Sequence, residues 1–222
     1  MKLSSLFKKI FLGGEVIEKT ESPINGEILV IEKLSGERIM RIGGLDQSGR
    51  EVEKIWRRVL ETKSLKLKAK SCLILGLGCG TVADLIAKKW PEAQITGIEI
   101  DKEVIEIGKI YFNLGKIRNL SILNEDAIWW ITSKLSLMSK QKYDLILVDL
   151  YKGQEFPPEA ESDEFLEGLK KLLAEDGQII FNRLNFGEHR EKSHEFLEKL
   201  KGSFPEVLTQ KSEFNLLIFA SE

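Results

Sequence analysis

Residues 73–86, LILGLGCGTVADLI, join an apolar run to an amphipathic run through closely spaced glycines. Gly76, Gly78 and Gly80 have no Cβ atom, so the backbone there can lie against a ligand without a steric clash. A strand that ends in such a turn and continues as a helix commonly binds a nucleotide or nucleoside at the turn. The stretch therefore predicts a ligand site.

Carboxylates recur at the ends of the predicted strands that follow. Glu99 lies at the end of the strand QITGIEI and Asp101 directly after it, Asp126 follows NLSILNE, and Asp149 is near the end of YDLILVDL. In open α/β sheets, ligands bind beyond the carboxyl ends of the strands. An aspartate there often only caps a helix, so Asp101 or Asp126 alone would mean little. Their recurrence beside the glycine turn indicates a shared ligand.

The glycine spacing distinguishes between classes of ligand. The dinucleotide fingerprint G-x-G-x-x-G requires glycine at position 81, where this chain has Thr81 within a G-x-G-x-G pattern. Glu99, about 20 residues after the glycines, can accept hydrogen bonds from ribose hydroxyls. An acidic rim disfavours a phosphate-rich ligand and favours a cationic nucleoside. An NAD-dependent oxidoreductase is therefore disfavoured, although tight binding of NAD would revive it.

Alternating strands and helices must position these residues. From Ser71 onward, near-continuous apolar runs alternate with amphipathic runs, which is typical of a parallel sheet covered by helices on both faces. Only KSE separates the last two strands, EVLTQ and FNLLIFA, which is too short for a helical crossover and predicts an antiparallel hairpin. We expect an α/β fold with a doubly wound, mostly parallel seven-stranded sheet and an antiparallel last strand.

The rest of the chain divides into two smaller predicted segments. Residues 1–14 form an amphipathic segment, either a short helix packed on its own domain or on a sister subunit, or a membrane-surface anchor. Residues 15–49 form a small antiparallel β-meander domain that ends in a loop at 42–49. Residues 50–222 form the doubly wound, Rossmann-like domain.

Composition excludes several classes of protein. The formal net charge is −2, so no general attraction to nucleic acid is expected. No run approaches the roughly 18 apolar residues of a membrane span, so stable membrane insertion is not expected. Cys72 and Cys79 lie in or beside one predicted strand and are not expected to pair, which favours a reducing, cytoplasmic location. His189 and His194 are five residues apart, and no metal site is predicted.

A known superfamily combines these marks. LGLGCGT, GIEID, NEDA and the antiparallel final strand together resemble the class I S-adenosylmethionine-dependent methyltransferase superfamily over about residues 65–222. The resemblance implies that the glycines approach S-adenosylmethionine or its decarboxylated form. It also implies that Glu99, with Asp101 nearby, holds the ribose, and that Asp126 and Ala127 contact the adenine.

Nearly the whole chain is similar to the polyamine aminopropyltransferases, the spermidine synthase group. NGEILVIEKLSGERIMRIGGLDQSG resembles their small β-domain, with Gln47 as the loop glutamine of the cofactor site, and SEFNLLIFA resembles their closing strand. YDLILVDL places Asp149 in the catalytic position, where it would hold an ammonium group and accept its proton. The resemblance implies aminopropyl transfer to a small-molecule acceptor, an amine in that family, and a homodimer.

The chain departs from that family on the substrate side. Members that act on polyamines have D-[ST]-x-D after the fourth strand, whereas this chain has DLYK at 149–152. Lys152 in place of the second carboxylate is unfavourable for a polycationic amine; it either pairs with an acid such as Glu155 or recognises an anionic acceptor. Glu53 is expected to keep one carboxylate near the substrate.

The sequence leaves the role of residues 151–162 and the type of reaction open. Residues 151–162 form either a lid, in which Tyr151 and Phe156 cover the reacting centre, or an ordinary surface connection. The reaction is either aminopropyl transfer or methylation of a small molecule, both of which displace a sulfonium group. The third possibility is a catalytically silent nucleoside-binding module.

Overall fold

A computed structural model describes residues 13–62, 65, 67–133, 141–212 and 214–222. The amphipathic segment predicted at 1–14 therefore lies outside the described residues, apart from Gly13 and Gly14. None of the helices in the described ranges reaches the length and apolarity that a membrane crossing requires.

The first part of the described chain forms a four-stranded antiparallel sheet in the order β1-β2-β3-β4. Its strands are β1 Glu15–Ser22, β2 Gly26–Glu32, β3 Arg38–Ile42 and β4 Leu45–Ser48. The loop predicted at 42–49 is wrong, because Leu45–Ser48 pairs with β3 as the fourth strand. Gly43 and Gly44 both have positive φ, +56° and +84°, and form the two-residue turn that joins β3 to β4.

The second part forms a seven-stranded sheet with helices on both faces, as predicted. Its strands are β5 Ser71–Leu75, β6 Gln94–Ile98, β7 Leu120–Leu123, β8 Tyr143–Val148, β9 Leu173–Leu184, β10 Glu206–Lys211 and β11 Asn215–Ser221. The helices are α1 Arg50–Glu61, α2 Thr81–Lys89, α3 Lys102–Tyr111, α4 Ala127–Ser133, α5 Asp163–Leu172 and α6 His189–Ser203, with single 3₁₀ turns at Leu114–Lys116 and Pro158–Glu161.

The strand order, β10-β11-β9-β8-β5-β6-β7, confirms the doubly wound fold. β5 to β9 are parallel, whereas β11 lies antiparallel between β9 and β10, which confirms the predicted hairpin. The chain runs outward from β5 through β6 to β7 and then returns to the other side of β5 as β8. The order of strands therefore reverses between β5 and β8, where open sheets of this kind leave a crevice for a ligand.

Apolar side chains cover the sheet on both faces and explain why the helices dock there. One core contains Trp130 of α4, Phe165 of α5 and Phe196 of α6 against one face of the sheet. The other contains Trp56 of α1 and Ile86 of α2 against the opposite face. A third cluster joins the small sheet to the large unit, because side chains of β2 and β3 pack on α3; its buried members are Ile28, Val30, Met40, Ile42, Cys79, Val104 and Ile107.

Two of the three predicted site glycines are required by the fold itself. Gly76 has φ +85°, and a Cβ atom there would lie 2.1 Å from the carbonyl oxygen of Asp149. Gly80 has φ +88°, and a Cβ atom there would lie 2.4 Å from Cδ1 of Leu114. The chain therefore needs glycine at position 76 to let β5 and β8 end side by side, and at position 80 to start α2 against Leu114.

We expect Gly76→Ala to destabilise the fold by more than about 4 kcal/mol, because it adds backbone strain to a clash with backbone. The free energy of unfolding in urea measures this. Gly202→Ala in α6 is the matched control, since its Cβ would meet nothing within 4 Å and alanine favours a helix by up to about 1 kcal/mol. Equal stability of the two variants would contradict the close approach of Gly76 and Asp149.

Candidate functional site

A cavity of about 630 Å³ opens at the carboxyl ends of β5, β6 and β8, at the predicted crevice. Both sheets contribute to its wall. The small sheet and its turns supply Pro23, Ile24, Asn25, Met40, Ile42, Gln47 and Ser48. The predicted site residues on the wall are Gln47, Gly76, Gly78, Glu99, Asp126, Ala127, Asp149, Tyr151 and Lys152. The structure thus brings nine predicted residues together, from Gln47 to Lys152.

Glu99 defines one end of the cavity. One of its carboxylate oxygens accepts a hydrogen bond from the backbone N–H of Gly78 at 2.8 Å, and the other accepts from the N–H of Asp101 at 3.0 Å. Burial raises the pKa of this carboxyl, while the backbone hydrogen bonds act in the opposite direction. Each oxygen keeps a further lone pair, so the fixed carboxylate can also accept hydrogen bonds from the hydroxyls of a ribose.

Asp126 lies at the start of α4, beside Glu99's end of the cavity. Its carboxylate accepts hydrogen bonds from the backbone N–H groups of Ile128 at 2.8 Å and Trp129 at 3.0 Å, so it caps the helix. Trp129 also lines the cavity and leaves 52% of its surface exposed. An exposed indole on the wall offers a flat apolar face to a planar base. The sequence indicated the carboxylate and favoured a core position for at least one of Trp129 and Trp130 over stacking on a ligand; the structure buries Trp130 and leaves Trp129 on the wall.

Asp101 does not line the cavity in the described structure but connects the two sheets. Its buried carboxylate caps α3 by accepting from the N–H of Glu103 at 2.9 Å. Its other oxygen accepts from Ser22 Oγ at 2.5 Å and from Asn25 Nδ2 at 2.6 Å. Ser22 also organises the β1–β2 turn, because its oxygen accepts from the N–H groups of Ile24 and Asn25. Asp101 therefore holds this turn against the cavity instead of facing a ligand.

Asp149 defines the other end of the cavity, immediately after β8. Its two oxygens accept hydrogen bonds from Trp56 Nε1 at 3.2 Å and from Asn182 Nδ2 at 2.9 Å. Asn215 in turn donates to the amide oxygen of Asn182 at 2.9 Å and fixes the orientation of that amide. Burial raises the pKa of Asp149 to about 6, and the two hydrogen bonds offset part of the effect. Asp149 is thus a positioned carboxylate that titrates near neutral pH.

Side-chain hydrogen bonds hold residues 151–153, which follow Asp149, in place. Tyr151 donates its hydroxyl hydrogen to the carbonyl oxygen of Asn182 at 3.1 Å and accepts from the N–H of Leu184 at 2.8 Å. Burial raises the pKa of this phenol. Gln47 donates from Nε2 to the carbonyl oxygen of Gly153 at 3.3 Å, so β4 contacts the same stretch. Tyr151 and Gln47 therefore both shape the end of the cavity at Asp149.

Three predicted residues have roles away from the cavity. Glu53 forms an ion pair with Arg57 on the surface of α1 and is not on the described wall. Phe156, which one of the two alternatives for residues 151–162 placed over the reacting centre, packs in the core, where the Arg183 guanidinium lies 3.9 Å from the centroid of its ring. Gly80 is likewise away from the described wall, because its role is to begin α2.

A separate surface cluster has metal-binding residue types. Ligand atoms of Glu155, Glu188 and His189 lie within 4.8 Å of one another. The histidine pair considered from the sequence is therefore not the relevant grouping, since His189 lies beside two glutamates. Both glutamates are exposed, and Glu155 forms an ion pair with Lys192 at 3.2 Å.

Several residues of the site carried no local sequence signal. Trp56 precedes Asp149 by 93 residues, and Asn182 follows it by 33. The β1–β2 turn at 23–25 forms part of the wall because the small sheet packs on α3. Only long-range pairing of strands and packing of helices brings these residues to the cavity, and a pattern read along the chain cannot show either.

The fold and the cavity define a class of protein: a doubly wound α/β domain with a cavity where the strand order reverses and an acid at each end of that cavity. The model of the spermine/spermidine synthase domain matches residues 33–212, and the chain belongs to that family. The crystal structure of spermidine synthase from Thermotoga maritima has the same fold, with a TM-score of 0.73, 18% identity, and coverage of 93% of this chain and 72% of that one.

Relatives come from two groups of enzymes. A polyamine aminopropyltransferase from Vibrio vulnificus is 35% identical over 115 residues, which is 52% of this chain and 38% of that protein. An eEF1A lysine and N-terminal methyltransferase from Mus musculus is 28% identical over 155 residues, which is 66% of this chain and 22% of that protein. The chain thus matches well under half the length of either relative.

We expect Ser22→Ala to lower the free energy of unfolding by about 1–3 kcal/mol, because it removes a buried hydrogen bond to the carboxylate of Asp101. Thermal or urea unfolding measures this. Ser35→Ala is the matched control in the next turn of the same sheet, where the serine is exposed, and should change the stability by less than about 0.5 kcal/mol. Equal effects of the two substitutions would show that Asp101 does not hold the β1–β2 turn.

Proposed function

We propose that this protein is a transferase that uses decarboxylated S-adenosylmethionine and transfers its aminopropyl group to an amine. The observation that carries the proposal is Asp149, a positioned carboxylate at the reacting end of a nucleoside-sized cavity, in a chain of the spermine/spermidine synthase domain family. The polyamine aminopropyltransferase from Vibrio vulnificus supports the same reaction class.

The residues around the cavity fit an adenosyl sulfonium compound. Glu99 supplies fixed acceptors for the ribose hydroxyls, Gly78 brings the backbone close, and Trp129 with Asp126 borders the space for the base. The four carboxylates on the described wall also favour a cationic ligand; they are Glu99, Asp126, Asp149 and Glu159. When bound, such a compound supplies a carbon activated by its sulfonium group, so the protein has mainly to align the partner.

Asp149 has two tasks in this proposal. At neutral pH a carboxyl with a pKa of about 6 is mostly ionised, so it can hold an ammonium group by a charge-assisted hydrogen bond. It can then accept a proton from that group, which frees the nitrogen lone pair for attack. Trp56 and Asn182 hold the carboxylate in place by donating to one lone pair of each oxygen, which leaves other lone pairs for the amine.

Methyl transfer from intact S-adenosylmethionine is the second candidate. The match to the Mus musculus methyltransferase over 66% of this chain favours it. The same cavity would serve both reactions, because they differ in which carbon on the sulfonium faces the acceptor. A catalytically silent nucleoside-binding module is the third candidate, and it would bind the nucleoside without turnover.

The location, the oligomeric state and the partners of the protein are also proposals. The two cysteines, Cys72 and Cys79, are unpaired and buried, which supports a reducing, cytoplasmic location. A homodimer remains a prediction from the resemblance to the aminopropyltransferases. A small-molecule amine remains the expected acceptor, and nucleic acid is not expected as a partner because the net charge is −2.

We expect Asp149→Asn to lower turnover by a factor on the order of 10²–10⁴, the usual contribution of a positioned acid or base. Methylthioadenosine should bind the variant within about twofold of its wild-type affinity, because the nucleoside contacts are at the other end of the cavity. Product formation and calorimetric binding measure the two effects. Asp176→Asn, an exposed aspartate in β9, is the matched control.

Turnover and nucleoside binding together distinguish the candidate functions. Full turnover in Asp149→Asn would overturn the proposed role of Asp149. Methylthioadenosine binding without turnover in wild type, across decarboxylated and intact S-adenosylmethionine and a panel of amines, would favour the silent module. Failure of all three nucleosides to bind would overturn the proposed function.

We expect kcat/KM to fall as the pH drops through about 6, by roughly tenfold for each further unit, because protonated Asp149 cannot accept a proton. The raised pKa of Asp149 also determines how the stability of the fold changes with pH. Burial raises the pKa of Asp149 above its unfolded value, so the folded state is relatively favoured when the group is protonated and loses that advantage as the pH rises through about 6. The unfolding temperature of Asp149→Asn, measured relative to that of wild type, should therefore be higher at pH 8 than at pH 5. A rate profile without an acid limb near 6 would contradict the assignment.

A further inference from the structure

Acidic side chains outnumber basic ones on the described wall of the cavity. Glu99, Asp126, Asp149 and Glu159 carry carboxylates, and Lys152 is the one cation that the described wall contains. Lys152 follows Asp149 by three residues, at the reacting end. A single ammonium group in an otherwise acidic cavity affects which ligands bind, because it repels any positively charged group of a ligand that comes close to it.

The alternative that Lys152 is neutralised by Glu155 does not hold in the structure. The two residues are joined through their backbones, by hydrogen bonds of 3.0 and 3.1 Å. The carboxylate of Glu155 pairs instead with Lys192 at 3.2 Å. Within the described part of the chain, the ammonium of Lys152 has no ion pair with any carboxylate on the wall. Its charge is therefore available to a ligand.

The backbone at Lys152 is held in place, so its side chain starts from a fixed point on the rim of the cavity. The reciprocal hydrogen bonds to Glu155 close a tight turn, and Gln47 donates to the carbonyl oxygen of Gly153 next to it. Gln154 donates to the carbonyl oxygen of Gly43 at 3.4 Å, so a second contact ties the turn to the small sheet. Two contacts with the small sheet thus hold the turn that carries Lys152, three residues after Asp149.

We propose that Lys152 binds a carboxylate of the ligand that occupies the reacting end of the cavity. The inference rests on the proposed transferase function and narrows the class of its ligands: a carboxylate lies at Lys152, beside the amine that Asp149 holds. A single carboxylate suits one ammonium, whereas a phosphate of higher charge would be repelled by the acids around it. The carboxylate belongs either to the acceptor, an amino-acid-like amine, or to the methionine part of intact S-adenosylmethionine.

The experiment compares ligands that differ only by a carboxylate. Putrescine and ornithine are the acceptor pair, and decarboxylated and intact S-adenosylmethionine are the cofactor pair; methylthioadenosine, which has neither an amine nor a carboxylate on its side chain, is the reference. Wild type, Lys152→Ala and Lys152→Asp are measured with each. Lys201→Ala on α6, which removes one exposed lysine paired with Glu198, controls for the loss of one positive charge.

If the acceptor supplies the carboxylate, Lys152→Ala should raise KM for ornithine about tenfold or more relative to putrescine, the usual cost of losing a charge-assisted hydrogen bond. Intact and decarboxylated S-adenosylmethionine should then keep their relative affinities. If the cofactor supplies it, Lys152→Ala should weaken only intact S-adenosylmethionine by about tenfold. In either case Lys152→Asp should shift preference further toward the ligand without a carboxylate, and methylthioadenosine should bind all variants alike.

The inference and the proposed function fail in different ways. Unchanged ratios for both ligand pairs in Lys152→Ala and Lys152→Asp, with turnover retained, would overturn the role of Lys152 and leave the transferase proposal in place. Failure of wild type to bind methylthioadenosine and both forms of S-adenosylmethionine would overturn the proposed function itself. An equal response of Lys201→Ala and Lys152→Ala would also overturn the inference, because it would show an effect of net charge alone.

Discussion

The close approach of the ends of β5 and β8 is the constraint on which the candidate site depends. Gly76 donates its N–H to the carbonyl oxygen of Ile98, and the N–H of Asp149 donates to the carbonyl oxygen of Leu75. The end of β5 is thereby tied to β6 on one side and to β8 on the other. Glu99 and Asp149 each stand one residue beyond these tied strands, so the ladder of the sheet sets the two acids on either side of the glycine turn. Rigid strand ends of this kind hold reacting groups more accurately than free loops do.

The small sheet completes the cavity, and a buried carboxylate makes that possible. Asp101 would be costly to bury alone, but it accepts hydrogen bonds from α3 and from both Ser22 and Asn25. Glu99 accepts a hydrogen bond from the N–H of Asp101, so the acid on the cavity wall and the acid that holds the turn are neighbours in one network. Packing of Val104 and Ile107 against the small sheet supports the same contact. The first part of the chain therefore belongs to the site.

The sequence predicted the features that depend on local pattern. The alternation of apolar and amphipathic runs predicted the sheet and its closing hairpin, and the glycines and strand-end acids predicted Glu99 and Asp149 on the wall. Roles that depend on packing between distant segments were not predictable. Asp101 has the same local signature as a ligand-binding acid, and only the position of Ser22 gives it another role. The glycine and prolines near Phe156 left a lid and a surface connection as equal alternatives, and neither pattern shows that Phe156 packs against Arg183 in the core. The Gly-Gly pair at 43–44 is typical of a two-residue hairpin turn, but the region was predicted as a loop.

In the proposed function, the charges at the Asp149 end of the cavity let the family fold be kept while the acceptor changes. Burial, rather than a neighbouring carboxylate, is the main cause of the raised pKa of Asp149, so the proposed base needs no second acid to titrate near neutrality. A change at position 152 consequently leaves the base intact and alters only what can lie beside it. An amine that ends in a second ammonium would meet Lys152, whereas one that ends in a carboxylate would gain an attraction there. Separating the group that accepts the proton from the group that selects the acceptor lets one scaffold serve amines of different charge.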